Sequence, residues 1–157
     1  MRGRSCPVGF YHAVAGAGGA EGQQQALGGG ALGPGRLSGA LDGQVYDGPW
    51  TDIKEDVDKI NGLVRWTGEG DKLSYGITAM YFDANWNSAD QIPERAVTQG
   101  LIDPLGSLDK TLGGNTRRTS LSGTLSWDGG DFFNQINAWI IDYDFQLWSN
   151  FTYLLED

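Results

Sequence analysis

A chain of 157 residues is long enough for one ordinary domain, so size alone excludes little. Its composition says more: 25 glycines stand beside six each of Trp, Tyr and Phe, a mix that favours β architecture over helix. The net charge of −9 disfavours a phosphate-binding surface, so no nucleic-acid partner is expected. Cys6 is the single cysteine and His12 the single histidine, which leaves no intrachain disulfide and no zinc-ligand spacing. No cofactor or metal is expected.

The opening stretch "MRGRSCPVGFYHAVAGAGG" lacks the sustained apolar segment of a secretory signal. No run reaches the roughly 20 apolar residues of a spanning helix, so any membrane role would fall to strands. Residues 1–38 hold 11 of the 25 glycines and show neither the two-residue nor the 3.6-residue apolar period. They read as an irregular, low-complexity part. Within them Gly28, Gly30 and Gly33 match G-x-G-x-x-G, but Pro34 follows and neither a strand before nor a helix after is expected, so the match is chance composition.

From residue 39 alternation sets in. Leu41, Gly43 and Val45 alternate with Ala40, Asp42, Gln44 and Tyr46, a first strand that Asp47, Gly48 and Pro49 bring to a stop. Ile60, Gly62, Val64 and Trp66 oppose Asn61, Leu63, Arg65 and Thr67 in a second strand. After the tight "GEGD" connection, Leu73, Tyr75, Ile77, Ala79 and Tyr81 form one side of a third. In "RTSLSGTLSW" Thr119, Leu121, Gly123, Leu125 and Trp127 face away from Arg118, Ser120, Ser122, Thr124 and Ser126, which makes a fourth. "DGGD" then turns the chain into a fifth, "FFNQINAWIIDYDFQLW". There both registers fit near Phe132 and Phe133, and the favoured one places Trp139, Ile141, Tyr143, Phe145 and Leu147 on the apolar side.

Connections alternate between tight turns and long polar loops, so the long loops share one end of the sheet. This is the pattern of an antiparallel transmembrane β-barrel, apolar towards lipid and polar towards a wet interior. Trp66 and Trp127, each beside a tight turn on the apolar side, suit the aromatic girdle of the periplasmic interface. A soluble β-sandwich binding or adhesion module is the competing reading, although outer faces rich in Gly, Ala and Tyr are thin for a packed core. A passive porin-like channel is a third.

The phrases "GQVYDGPW" (43–50), "DQIPERAVTQGLID" (90–103), "GSLDKTLGGNTRRTSLSG" (106–123) and "IDYDFQLWSNFTYLLED" (141–157) resemble the early barrel segment of TonB-dependent outer-membrane receptors. The resemblance implies a barrel of roughly 22 strands, of which residues 39–157 supply about five, with a plug inside it. It also implies energy-coupled uptake of an extracellular small molecule (a ferric siderophore, cobalamin or another nutrient) driven by the TonB complex, with outer-membrane lipid around the wall. On this view the chain is a fragment, inactive alone, and residues 1–38 are foreign to the receptor through a frame-shifted reading or a misassigned start.

Candidate ligand contacts lie at the long-loop rim: Trp50, Trp86, Arg95, Trp148, Phe151 and Tyr153 can stack on or pair with an extracellular molecule. The acids Glu55, Asp56 and Asp58, and separately Asp142 and Asp144, read as solvated loop or lumen carboxylates. No base or nucleophile accompanies them, so no enzyme activity is expected.

Overall fold

The computed structural model describes the backbone of residues 11–16 and the whole of residues 22–150. They form one seven-stranded antiparallel sheet in which each strand pairs only with its neighbours in sequence. The strands are β1 (Tyr11–Gly16), β2 (Gly22–Leu32), β3 (Gly35–Tyr46), β4 (Val57–Glu69), β5 (Leu73–Asn87), β6 (Gly113–Asp128) and β7 (Phe133–Trp148). One short helix, α1 (Glu94–Thr98), interrupts the loop before β6. The chain is therefore all-β, and the five strands read from alternation are β3 to β7.

Two strands were not anticipated. The expectation of an irregular N-terminal part is corrected over its described residues by β1 and β2, β1 pairing with β2 and β2 with β3 in continuous register, while residues 1–10 and 17–21 lie outside the described residues. Gly28 and Gly30 lie on one side of β2, Gly29 and Ala31 on the other, so the strand has almost no polarity contrast to betray its period. The turn supplies what the pattern lacks. Gly33 and Pro34 join Leu32 to its partner Gly35, and Gly33 holds φ at +57°. Because Pro34 locks its own φ negative, the hairpin fits the type II′ turn, which asks for a left-handed residue at its first central position only. Gly28, Gly30 and Gly33 thus belong to a β-hairpin, and no helix follows them.

Register assigns the two faces. On the leucine face, Leu37 pairs Trp66, Leu41 pairs Gly62, Val64 pairs Ala79, and Ala79 pairs Leu121. On the serine face, Asp42 pairs Asn61, Arg65 pairs Thr78, and Thr78 pairs Ser122. The favoured facing of β7 is corrected here: Leu121 pairs Ile140 and Leu125 pairs Ile136, whereas Trp139, Ile141, Tyr143, Phe145 and Leu147 stand with Ser122, Ser120, Arg118, Thr116 and Gly114. The turn decides this. Asp128 closes on Phe133, and Gly129 donates its amide to the Phe132 carbonyl at 2.8 Å, which sets the parity of every pair beyond.

Among the described residues there is one layer and little core. Ala84, Ala96 and Leu112 are the buried apolar side chains, at the long-loop end, while Leu41, Val64, Ile77, Leu121 and Leu125 lie exposed on the leucine face. The Gly33–Pro34, β4–β5 and β6–β7 turns occupy one rim; the loops joining β3 to β4 and β5 to β6 occupy the other.

Candidate functional site

The two long loops fold together. Thr51 donates its amide to the Leu105 carbonyl at 3.1 Å, and the buried Ser107 donates its amide to Asp52 Oδ1 at 2.9 Å. Lys110 Nζ lies 3.5 Å from Asp52 Oδ2, Asn87 Nδ2 donates to the Lys54 carbonyl at 3.1 Å, and the Asn87 amide donates to the Glu55 carbonyl at 2.6 Å. Helix α1 buries Ala96 completely. It ends where Gly100, at φ +67°, donates to the Val97 carbonyl and Leu101 donates to the Ala96 carbonyl, the paired bonds of a Schellman stop. The result is an ordered cap over the long-loop rim.

Asp109 anchors the end of that cap. It accepts from the Thr111 hydroxyl at 2.6 Å, the Thr111 amide at 2.9 Å and Asn150 Nδ2 at 3.1 Å. These bonds favour the charged form and hold its carboxyl below the ordinary value of 3.8, Thr111 contributing most. On the neighbouring loop the carboxylate of Asp47, 2.9 Å from Lys54 Nζ, raises the lysine above its ordinary 10.5.

The rim residues expected to meet a ligand are only partly gathered. Trp50 is half-buried and already donates its indole N–H to Glu55 Oε1 at 2.6 Å, so it offers its ring rather than its nitrogen. Trp86 lies on the serine face, its ring centroid 6.4 Å from that of Phe145. Arg95 is exposed on α1, and Trp148 ends β7 on the leucine face opposite Gly113. Phe151, Tyr153 and Cys6 lie outside the described residues. Trp66 and Trp127 both stand at the short-turn rim: Trp66 donates to the Leu32 carbonyl at 3.4 Å and tilts against Tyr75 at 4.9 Å, and Trp127 meets Phe132 edge-on at 5.5 Å. Asp142 and Asp144 fall on the leucine face, opposite Thr119 and Arg117.

The serine face carries hydrogen-bonded polar groups. Asp42 accepts from Gln23 at 3.0 Å and Gln25 at 3.2 Å and lies 3.5 Å from Lys59 Nζ; Asn137 accepts from Thr124 at 2.9 Å and Gln135 at 3.2 Å. Within this face lies a recess of about 390 Å³, lined by Asn61, Met80, Phe82, Arg118, Tyr143 and Phe145. Sequence reasoning missed it, because it placed Tyr143 and Phe145 on the opposite face from Arg118. Counting pairs outward from the "DGGD" turn would have found it.

Compared with known proteins, the chain matches no family model, no curated protein and no solved structure.

Proposed function

We propose that this chain forms part of the wall of an outer-membrane β-barrel, in a TonB-dependent receptor that imports an extracellular nutrient such as a ferric siderophore or cobalamin. One observation carries the wall reading: the leucine face is apolar only across a band. On β5 the band runs from Leu73 to Tyr81. That is roughly 27 Å along the strand, or about 20 Å of height at a ~40° tilt, close to the outward apolar belt of membrane barrels. Beyond it on the same face, at the long-loop end, stand Asp58, Asp83, Arg117, Asp142 and Asp144. Trp66, Tyr75 and Trp127 mark the other edge, as interfacial aromatics do.

A single exposed layer supports this reading over a sandwich, which must cover its apolar face with a second sheet. The seven strands among the described residues are also fewer than the smallest membrane barrels use, and an odd number. Because neighbours alternate in direction, β1 and β7 run the same way, so a ring of identical copies would join them in parallel. Repeating the described strands alone therefore does not close an antiparallel wall. The TonB-dependent part of the proposal rests on the resemblance of the four phrases quoted above.

The test is insertion of the full chain, diluted from urea, into liposomes. We expect it to float with the lipid, with fluorescence quenched more strongly by lipids brominated near the glycerol than at the chain end, a difference reduced by Trp66→Phe and Trp127→Phe. A monomer that stays in solution without detergent and melts in one cooperative step overturns the wall. Uptake is read separately, as nutrient-dependent growth that requires both the gene encoding this chain and TonB; growth indifferent to TonB overturns that part.

A further inference from the structure

One lateral row of the serine face runs Asp42, Asn61, Phe82, Arg118, Tyr143 across β3 to β7, each residue directly opposite the next. Arg118 therefore has an aromatic ring on either side and the hydroxyl-bearing Thr116 and Ser120 above and below it on its own strand. Phe145, two positions along from Tyr143, stacks with it at 6.4 Å and 13° between planes, and Trp86 extends the cluster beyond Phe145. Tyr143 and Phe145 keep 60% and 50% of their surface exposed, so their rings are open to a ligand.

The carboxylates of the same face stand away from Arg118. Among the described residues its carboxylates are Asp42, Glu69 and Asp128. Glu69 and Asp128 sit at the short-turn rim, and Asp42 is bound by Gln23, Gln25 and Lys59. Asp42 is also three strands from Arg118, or about 14 Å at ~4.8 Å per strand. A guanidinium between two rings in a recess of about 390 Å³ matches a ligand that is flat, apolar and negatively charged at one end.

We propose that this recess is a binding subsite for a small planar aromatic anion, a carboxylate or sulfonate on one or two fused rings. Arg118 takes the anionic group with a forked pair of N–H donors, and Phe82, Tyr143 and Phe145 take the ring. The inference deepens the uptake reading and rests on it for the ligand's arrival from the aqueous side, but the geometry it uses belongs to the sheet alone.

The probe is 2-naphthoate, titrated against the full chain in detergent micelles with ligand-observed NMR saturation transfer. Saturable binding is expected to weaken at least tenfold in Arg118→Gln and in Tyr143→Ala, to weaken less in Arg118→Lys, which keeps the charge but not the fork, and to stay within threefold in Arg65→Gln, which lies on the same face outside the recess. Far-UV dichroism verifies each variant's strands, and residual binding by Arg118→Lys above that of Arg118→Gln guards against a trivial loss of folding. No saturable binding by the parent chain, equal binding of 2-naphthylmethylamine, or Arg118→Gln matching the parent would each overturn the proposal. Insertion is read on liposomes by tryptophan quenching, so a failed titration leaves the wall reading standing, and failed insertion with Arg118-dependent binding leaves the subsite standing.

Discussion

Arg118 stands directly opposite Tyr143 in the β6–β7 ladder, and that pairing assigns both faces of the last strand. It brings Tyr143 and Phe145 to the polar side of the sheet and leaves Ile136 and Ile140 to continue the apolar band begun by Leu121 and Leu125. A slip of one residue would exchange the two sets.

The face assignment predicts opposite outcomes for adjacent residues. On the proposed wall reading Leu121, 49% exposed in mid-band, should tolerate no charge: Leu121→Arg is expected to lower stability in a bilayer by about 2–4 kcal/mol. Ser122→Arg, one residue along and on the other face, should change it by less than ~1 kcal/mol. Urea titrations of the two variants in liposomes, followed by tryptophan emission, measure the difference.

The β2–β3 hairpin depends on a left-handed residue. No heavy atom lies within 4 Å of a Cβ built on Gly33, so Gly33→Ala has no clash to relieve and only the backbone conformation to oppose it. The expected loss is about 1–2 kcal/mol. Gly43→Ala is the matched control, since its nearest neighbour would be the Lys59 carbonyl at an ordinary 3.9 Å. Amide exchange along β2 should quicken in the first variant and not in the second.

In the loop cap, Asp52 ties the two long loops by accepting from the buried Ser107 amide and facing Lys110. Asp52→Ala leaves that amide without its acceptor, a local cost of about 1–3 kcal/mol. Hydrogen exchange at Ser107 and Thr51 should speed accordingly, while amides of β6 keep their protection. Equal loss throughout the sheet would mean that the cap and the sheet unfold as one.

Asp109 gives the cap a pH limit. Its folded pKa is depressed below 3.8, so its contribution is fully present above the unfolded value and is lost only as pH falls through the lower folded one. The Thr111 amide resonance should hold steady down to about pH 4 and then move with a midpoint below that of an ordinary aspartate. Asp109→Asn should abolish that titration.

Much of the sheet was legible because half-buried strands write a two-residue period into the chain, and β3 to β6 carry it with Leu, Val, Ile and Trp against Ser, Thr, Asn and Arg. The end at which the long loops gather followed from their lengths alone. Where both sides of a strand are alike, that record is blank: Gly28, Gly29 and Gly30 hide β2, and β7 is apolar on each side from Ala138 to Ile141. In those places the decision fell to hydrogen-bonded turns and to neighbouring strands. The cap was beyond local reading for another reason, because its bonds join Asp52 to Ser107 and Asp109 to Asn150, residues far apart in sequence. Local alternation is thus set residue by residue, whereas register, and with it the ring on either side of Arg118, exists only once the strands lie side by side.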